Sequence, residues 1–538
     1  MTQTAPQSES DTQPLSSPSK RWRQHPWWVR YLTYLGAFLA LLIATYAFFD
    51  IRGRMRWKEY FKADLNSDGE WPSLSELIKD KPTDDCFWND QFIQDLIASR
   101  VDLSDIESVI RSTEPTFEWT SQSSTKVPGV LWPAAQKQDL SLFTGATLTR
   151  TEAAEKFLTA SSALQPEWNQ LRSSTLKPAT THPWTLGSVD EMMRAIPFDV
   201  FLKIQRYLQI TALARIEIGE NDLALEDALT SLELSRQLQH EGLLINHLVC
   251  SSFLRSLYQV LWEGTNARVW NDSQLQKLDR ALSQIQTDSF REILERESAF
   301  SSSYAKEKVD GFFQRWDFYG SDMAWKAEPL VVFPPLVTEF LSFFPSASPV
   351  RSSGNDLDAL NRLFLASLPK GISMENGIFS HRLSKRTLLN PSLPLAERID
   401  REQDAIDATL LPDLRDPRRI EVVIPYGPYL RFYSDSQLWI QIARVALAAE
   451  RYRISNGEYP EEWSDLVPEW LPEVPEDVWA NPGTKLRYQL DADDRPVIYS
   501  VGENGVDDGG VPHNAREKGD LVWRYSLPSG YTVDDYLK

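Results

Sequence analysis

The sequence predicts a mainly α-helical protein, a membrane-anchored helical domain followed by a small α+β domain of one helix and an antiparallel sheet. Three observations carry this reading. Tyr31–Phe49 is a run without charge or proline; between 195 and 310 apolar residues recur at three- and four-residue spacing; and near the C-terminus two short segments alternate in hydrophobicity around a turn.

Residues 1–27 are rich in Thr, Gln, Ser and Pro and read as a disordered N-terminal tail. Residues 28–50 form the transmembrane anchor helix, closed by Arg30 and Asp50 around the apolar run. At 1.5 Å per residue that run covers about 30 Å, the depth of a bilayer's hydrocarbon core. Trp27, Trp28 and Tyr31 at one end, and Tyr46, Phe48, Phe49 and Trp57 toward the other, suit interfacial aromatic belts. Basic residues on both flanks disfavour a buried core helix. The absence of a small-x-small site after the run disfavours a cleaved signal. The Lys/Arg counts on the two sides are nearly tied. A short tail before one long domain is the habit of signal anchors, so the expectation is a single-pass protein of the inner (cytoplasmic) membrane with its C-terminal domains periplasmic or otherwise extracytoplasmic.

The formal charge of −20 over 538 residues is unevenly placed. Lys20, Arg21, Arg23, Arg30, Arg52, Arg54, Arg56 and Lys58 bracket the anchor, which leaves the rest more acidic than the total. A basic face for phosphates is therefore not expected beyond the anchor, and nucleic acid is disfavoured as a partner. The basic bracket matches anionic headgroups of the lipid bilayer. Cys86 and Cys250 either pair across a long loop or stay as buried thiols, the second being favoured.

Residues 51–190 read as an irregular, Pro/Trp-rich membrane-proximal region with short helices at most. Asp64-Leu-Asn66-Ser-Asp68-Gly69 copies the first half of an EF-hand loop, but Ser75 stands at position twelve, Glu76 comes one place late and Pro72 occupies a ligand position. A polar turn ending a helix is the better account. Residues 191–430 read as the α-helical domain. Phe198–Ile218 is its first helix and Gly219–Asn221 the turn. Asp222 then caps a second helix carrying Leu225, Ala228, Leu229 and Leu232. Further helices are expected from Leu243 to Trp262, Asp272 to Ile285 and Phe290 to about Val309, then Asp356 to Leu368 and Pro394 to Leu411. The first pair resembles a tetratricopeptide-type hairpin without a second copy at a fixed period. Gly311–Pro349 is aromatic and proline-rich, and so apolar a segment must pack on its own domain or on a partner.

Catalytic motifs are not evident: there is no Gly-x-Ser-x-Gly, His-Glu-x-x-His, Cys-x-x-Cys or Walker loop. Ser303-Tyr-Ala-Lys306 has Ser-x-x-Lys spacing without its partner motifs. His240 and His247, seven apart, would share one helix face as surface or satisfied histidines, or as ligands. Glu295, Arg296 and Glu297 read as an internal ion pair.

Residues 431–538 form the last domain. Ser434 or Asp435 caps a helix with Leu438, Ile442, Val445, Ala446, Ala449 and Tyr452 on its apolar face, ended by Asn456-Gly457. Strands are expected at Lys485–Leu490, Pro496–Val501 and Leu521–Leu527. Three motifs here are similar in order to the globular domain of the major pseudopilin of type II secretion systems. They are Arg451-Tyr-Arg453 with Asn456-Gly-Glu-Tyr-Pro460, then Asp477-Val-Trp479-Ala-Asn481-Pro482. The third is Tyr499-Ser-Val-Gly-Glu-Asn-Gly505 followed by Asp507-Asp-Gly-Gly510 and Asp520. The anchor carries neither a prepilin-peptidase site nor an internal glutamate.

The whole chain resembles a family of single-pass membrane proteins of planctomycete and verrucomicrobial bacteria. That likeness rests on Trp57–Tyr60 through Asp68-Gly-Glu70, the Ala214–Leu238 hairpin, Leu294–Phe300, Leu368–Gly371, Glu375-Asn376 and the C-terminal motifs. It implies a topology and no activity. The pseudopilin resemblance implies a calcium ion held by the Ser500 carbonyl, Asp508 and Asp520, with Asn504 in place of that family's aspartate. A glycine-rich turn with solvated acids is the competing reading, and no cofactor is otherwise required. The expected role is binding or scaffolding with protein partners in the envelope, and association with a secretion or pilus-like apparatus belongs to the same expectation. The alternative is a membrane-tethered hydrolase whose site assembles from scattered residues.

Overall fold

A computed structural model describes residues 26–64, 83–98, 149–182, 198–240, 242–285, 289–297, 382–383, 386–410, 426–512, 519–526 and 528–530. The expected tail at 1–25, most of the EF-hand-like segment, Ser303 and Lys306, the 311–349 segment and the 356–368 helix lie outside these residues. The described chain is mostly helical with one three-stranded antiparallel sheet.

Helix α1, Trp27–Asp64, contains a segment long and apolar enough to cross a membrane, and that segment buries none of its surface in the rest of the protein. Thr33 and Thr45 turn their hydroxyls back to the carbonyls of Val29 and Leu41, so neither leaves an unsatisfied donor inside the apolar run.

Three short helices follow. Helix α2 is Gln91–Ile97, capped by Asp90, whose carboxylate accepts from the Phe92 and Ile93 nitrogens. Helix α3, Arg150–Ser161, starts with a capping box. Thr149 Oγ1 accepts from Glu152 N at 3.2 Å, and Thr149 N donates to the Glu152 carboxylate at 2.8 Å. One 3₁₀ turn leads to α4, Gln165–Thr175, whose Trp168 stacks on Tyr207 with centroids 4.1 Å apart. Within the region expected to be irregular with short helices at most, Arg150–Ser161 and Gln165–Thr175 are two such helices, of twelve and eleven residues. Their sequences are polar because each buries only a narrow stripe.

Helices α5 (Phe198–Ile218) and α6 (Asn221–Gln239) form the expected hairpin around Gly219, which takes φ +83°. Glu220, not Asp222, stands at the cap position of α6; Asp222 lies in the first turn and accepts from Gln274 Nε2 at 2.6 Å. Helix α7 is Leu244–Asn266 and α8 is Asp272–Ser283. The cap of α8 is Asn271, in a reciprocal box with Gln274, rather than Asp272. The described part of the next helix covers 290–297, and α9 is Leu395–Leu410.

Helix α10, Gly427–Asn456, is the spine of the body. It packs on α7, α8 and α9 along one side and on the sheet and the short α11 (Trp463–Leu466) along the other. It begins seven residues before Ser434, so Ser434 and Asp435 are interior positions and not caps; Asp435 accepts from Trp479 Nε1 at 2.9 Å. Its end is as expected: Gly457 takes φ +91° and its nitrogen closes on Arg453 O at 2.8 Å. Strands β1 (Arg487–Leu490), β2 (Pro496–Ser500) and β3 (Leu521–Trp523) run antiparallel in that order. The register pairs Arg487 with Tyr499 and Ile498 with Trp523.

One hydrophobic core runs without a break from Cys86 to Tyr525. Trp262 on α7 reaches the sheet, its Nε1 donating to Arg524 O at 2.9 Å. Arg444 and Arg451 on α10 pair with Asp279 and Asp272 on α8, each at 2.8 Å. The small sheet is thus seated on the helices. Cys86 and Cys250 are both free and buried, in line with the favoured thiol reading; burial pushes the Cys250 thiol up.

Candidate functional site

The loop after β2 is the site to which the sequence directs attention. Strand β2 is buried throughout because both sheet faces are covered. Ile498 and Trp523 join the main core toward α10, while Val497, Tyr499 and Val522 form a separate cluster on the other face. The loop 501–512 folds back over that second face. Gly510, at φ +75°, lies so close that a Cβ would sit 2.8 Å from Val497 Cγ1. Gly502, at φ +65°, has the Gly519 carbonyl 2.7 Å from the same virtual position. Only glycine permits both approaches.

Asp520 holds this fold-back. Its carboxylate is buried and accepts from Gly510 N at 2.7 Å and Asp508 N at 3.3 Å. Burial pushes its pKa up to about 7, against those two N–H donors and with the nearby Asp508 and Asp507 adding to the rise. Asn504 Nδ2 donates to Asp508 Oδ2 at 3.4 Å and its Oδ1 accepts from Val506 N at 3.0 Å. Asn504, Asp508 and Asp520 therefore do come together. Ser500 lies on β2 opposite Leu521, and its hydroxyl is committed elsewhere: it donates to Asp477 Oδ1 at 2.6 Å and accepts from Gly502 N at 3.1 Å.

Among the described residues no group of three or more His, Cys, Asp or Glu side chains forms a ready metal cluster. The donor set that the resemblance implies is the Asp508 and Asp520 carboxylates, the Asn504 amide oxygen and the Ser500 carbonyl. These are hard oxygen ligands of the kind calcium takes, at low formal charge. Here Asn504 Oδ1 accepts from Val506 N, and both Asp520 oxygens accept from backbone N–H groups.

Asp477 is the second anchor of the loop. It accepts from Ser500 Oγ, from Val501 N at 3.0 Å, from Trp479 N at 3.1 Å and from Arg487 Nη1 at 3.2 Å. Arg487 also holds Asp507 at 2.6 Å; desolvation is the largest single influence on the Asp507 carboxyl and raises it, but Arg487, the Gly509 N–H and Tyr499 together keep it below its ordinary range. The Asp477-Val-Trp479 motif was visible in the sequence; its partners across the sheet were not.

His240 and His247 do not share a helix face. His240 is the C-cap of α6 and His247 lies in α7, with Gly242 at φ +67° reversing the chain between them. His247 is buried, its Nδ1 3.2 Å from Gln239 Nε2 and its ring edge-on to Tyr433. Arg296 and Glu297 are buried too, Arg296 against Gly242.

Glu297 has a clear structural task. Leu243, the cap residue of α7, offers no side-chain acceptor, and Leu244 N donates instead to the Glu297 carboxylate at 3.2 Å. The start of α10 repeats the arrangement: Tyr426 caps without a side-chain bond, and Glu402 on α9 accepts from the Tyr426 and Gly427 nitrogens. Two core helices thus have their free N–H groups satisfied by buried carboxylates from distant elements. No local pattern signals this.

Burial pushes Glu297 up to about 7 despite the Leu244 N–H. Between the ordinary range near 4.5 and about 7 the folded state keeps a proton that the unfolded state has released. Its contribution is therefore fully present below about 4.5 and lost as pH rises through about 7. Glu297→Gln retains an acceptor for Leu244 and removes the charge. Urea unfolding should show the variant more stable than the parent by up to about 3 kcal/mol at pH 8 and nearly equal to it at pH 4.5. A variant no more stable at pH 8 would place the Glu297 carboxylate in a solvated setting.

Compared with protein-family models, curated proteins and solved structures, the chain gives no match.

Proposed function

We propose that this is a single-pass, membrane-anchored envelope protein of the inner membrane, with its folded body on the outer side, acting by binding or scaffolding. The observation that supports this best is the exposed apolar surface of α1 beside a body whose buried charges serve the fold. Every buried acid among the described residues has a structural partner. Asp227 and Glu263 meet arginines, and Glu297 and Glu402 meet helix nitrogens. Asp435 meets an indole, Glu450 meets Arg453 and Tyr459, and Asp477 and Asp520 hold the loop. Association with a secretion or pilus-like apparatus belongs to the same reading.

The test is fractionation of the native membranes with proximity labelling from the body. The expected result is resistance to carbonate extraction, cleavage of the body by protease added to intact spheroplasts, and a recurring set of labelled envelope proteins. Extraction by carbonate, or a protected body, would overturn the anchor or its orientation. Turnover of ester or peptide substrates by the purified chain would favour the hydrolase alternative.

We also propose that the 501–512 loop takes calcium, through Asp508, Asp520, the Asn504 amide oxygen and backbone carbonyls including that of Ser500. Titrating the full chain in detergent with calcium should give heat of binding that is lost in Asp520→Ala. Equal heat in the two would remove Asp520 from the site. No heat in the parent would leave the solvated turn.

A further inference from the structure

Two Asn-Gly steps lie among the described residues, Asn456-Gly457 and Asn504-Gly505, and their surroundings differ. We propose that Asn504 is a site of covalent modification, at which the Gly505 nitrogen converts the side-chain amide into a carboxyl. This rests on the geometry of the metal-free loop.

The reaction needs only water. The Gly505 nitrogen loses its proton to solvent and attacks Asn504 Cγ. The bond from Cγ to Nδ2 breaks, and Nδ2 leaves as ammonia after taking up a proton. The resulting five-membered imide is opened by water at either carbonyl, giving aspartate or isoaspartate. Amide plus water becomes acid plus ammonia, with no oxidation or reduction.

The loop meets the needs of the first step. Asn504 Oδ1 accepts from Val506 N at 3.0 Å, which draws electron density from Cγ and fixes the amide over its own backbone. Nδ2, the departing atom, points to Asp508 Oδ2 at 3.4 Å. Gly505 is exposed, and nothing lies within 4 Å of where its Cβ would be, so no neighbouring group crowds its far side. Its N–H is held by one turn bond, to Gly502 O at 3.2 Å.

Asn456 supplies the internal control. Gly457 N closes the last turn of α10 on Arg453 O at 2.8 Å, and Asn456 Nδ2 donates to Tyr452 O at 3.0 Å. Attack at Asn456 requires the helix end to unwind as both bonds break, whereas at Asn504 the Gly505 turn bond and the two side-chain amide bonds open without unwinding a helix. Asn504 should therefore react faster than Asn456 by about tenfold or more.

The product changes the chemistry of the loop. An amide that donates to Asp508 becomes a carboxylate that cannot, so a further negative group joins Asp507, Asp508 and Asp520. The tip then opens by repulsion or gains attraction for a divalent cation.

The experiment is peptide mapping by mass spectrometry of the full chain in detergent, incubated at pH 8. The expected result is the mass gain of an amide-to-acid exchange at 504, with the isoaspartyl form present, accumulating about tenfold or more faster than at 456. Asn504→Gln should lose the signal, because its cyclisation requires a less favoured larger ring. Equal rates at 504 and 456, or reaction at 504 only after unfolding in urea, would overturn the proposal. The incubation is run with calcium chelated, so the mapping reads the metal-free loop and failure here is distinct from failure of the calcium reading.

Discussion

Asp227→Ala should destabilise the body by about 3–5 kcal/mol, measured by urea unfolding of the chain in detergent. Asp227 is buried on α6 between two guanidiniums, Arg215 of α5 and Arg172 of α4, each at 2.6 Å. Burial pushes its carboxyl up to about 6 while both arginines pull the other way. Removing the acid leaves Arg215, itself buried, without its principal counter-charge. Asp227→Asn keeps a hydrogen-bond acceptor and should fall between parent and alanine variant. A loss under about 1 kcal/mol for the alanine would mean the three groups behave like an exposed pair.

Trp262→Ala should cost a similar amount, about 3–5 kcal/mol, by a different route. The indole is fully buried, its ring faces Tyr525 with centroids 6.1 Å apart, and its Nε1 is bonded to Arg524 O. Deleting it opens a cavity where the helices meet the sheet. Trp262→Phe keeps most of the volume and orphans one buried carbonyl, for about 1–2 kcal/mol. Limited proteolysis adds location: in Trp262→Ala the first new cuts should fall in the sheet and its loop, with α5–α7 intact. Cuts appearing first in α5 or α6 would contradict this.

Much of the architecture was legible in the sequence where the determining contacts are local. The α5–α6 hairpin follows from apolar spacing and Gly219, and the end of α10 follows from Asn456-Gly457. The start of α10 was not, because the true first turn holds Pro428 and the apolar Tyr429 and Leu430, while Ser434 and Asp435 have the composition of caps. Asp435 instead bonds an indole 44 residues away. The partners of the short helices α3 and α4 were hidden for a related reason. Arg150 and Arg172 look solvent-facing in sequence, yet they reach Glu217, Glu263 and Asp227 on other helices. At the loop, the grouping of Asn504, Asp508 and Asp520 was readable from motif order. The roles of Asp477, Arg487 and Glu402 depend on partners that no periodicity reveals.

The continuity of α1 sets a stand-off. The helix runs unbroken from Trp27 to Asp64, which at 1.5 Å per residue is a rod about 57 Å long. With Tyr31–Phe49 in the hydrocarbon, the fifteen residues Asp50–Asp64 climb about 22 Å past it, through the headgroups and beyond. Under the proposed anchoring this stretch past the apolar run carries Arg52, Arg54 and Arg56, with Arg54 paired to Asp50 at 2.9 Å. Under the proposed anchoring, a partner that engages the far end of this helix would do so about 22 Å beyond the hydrocarbon.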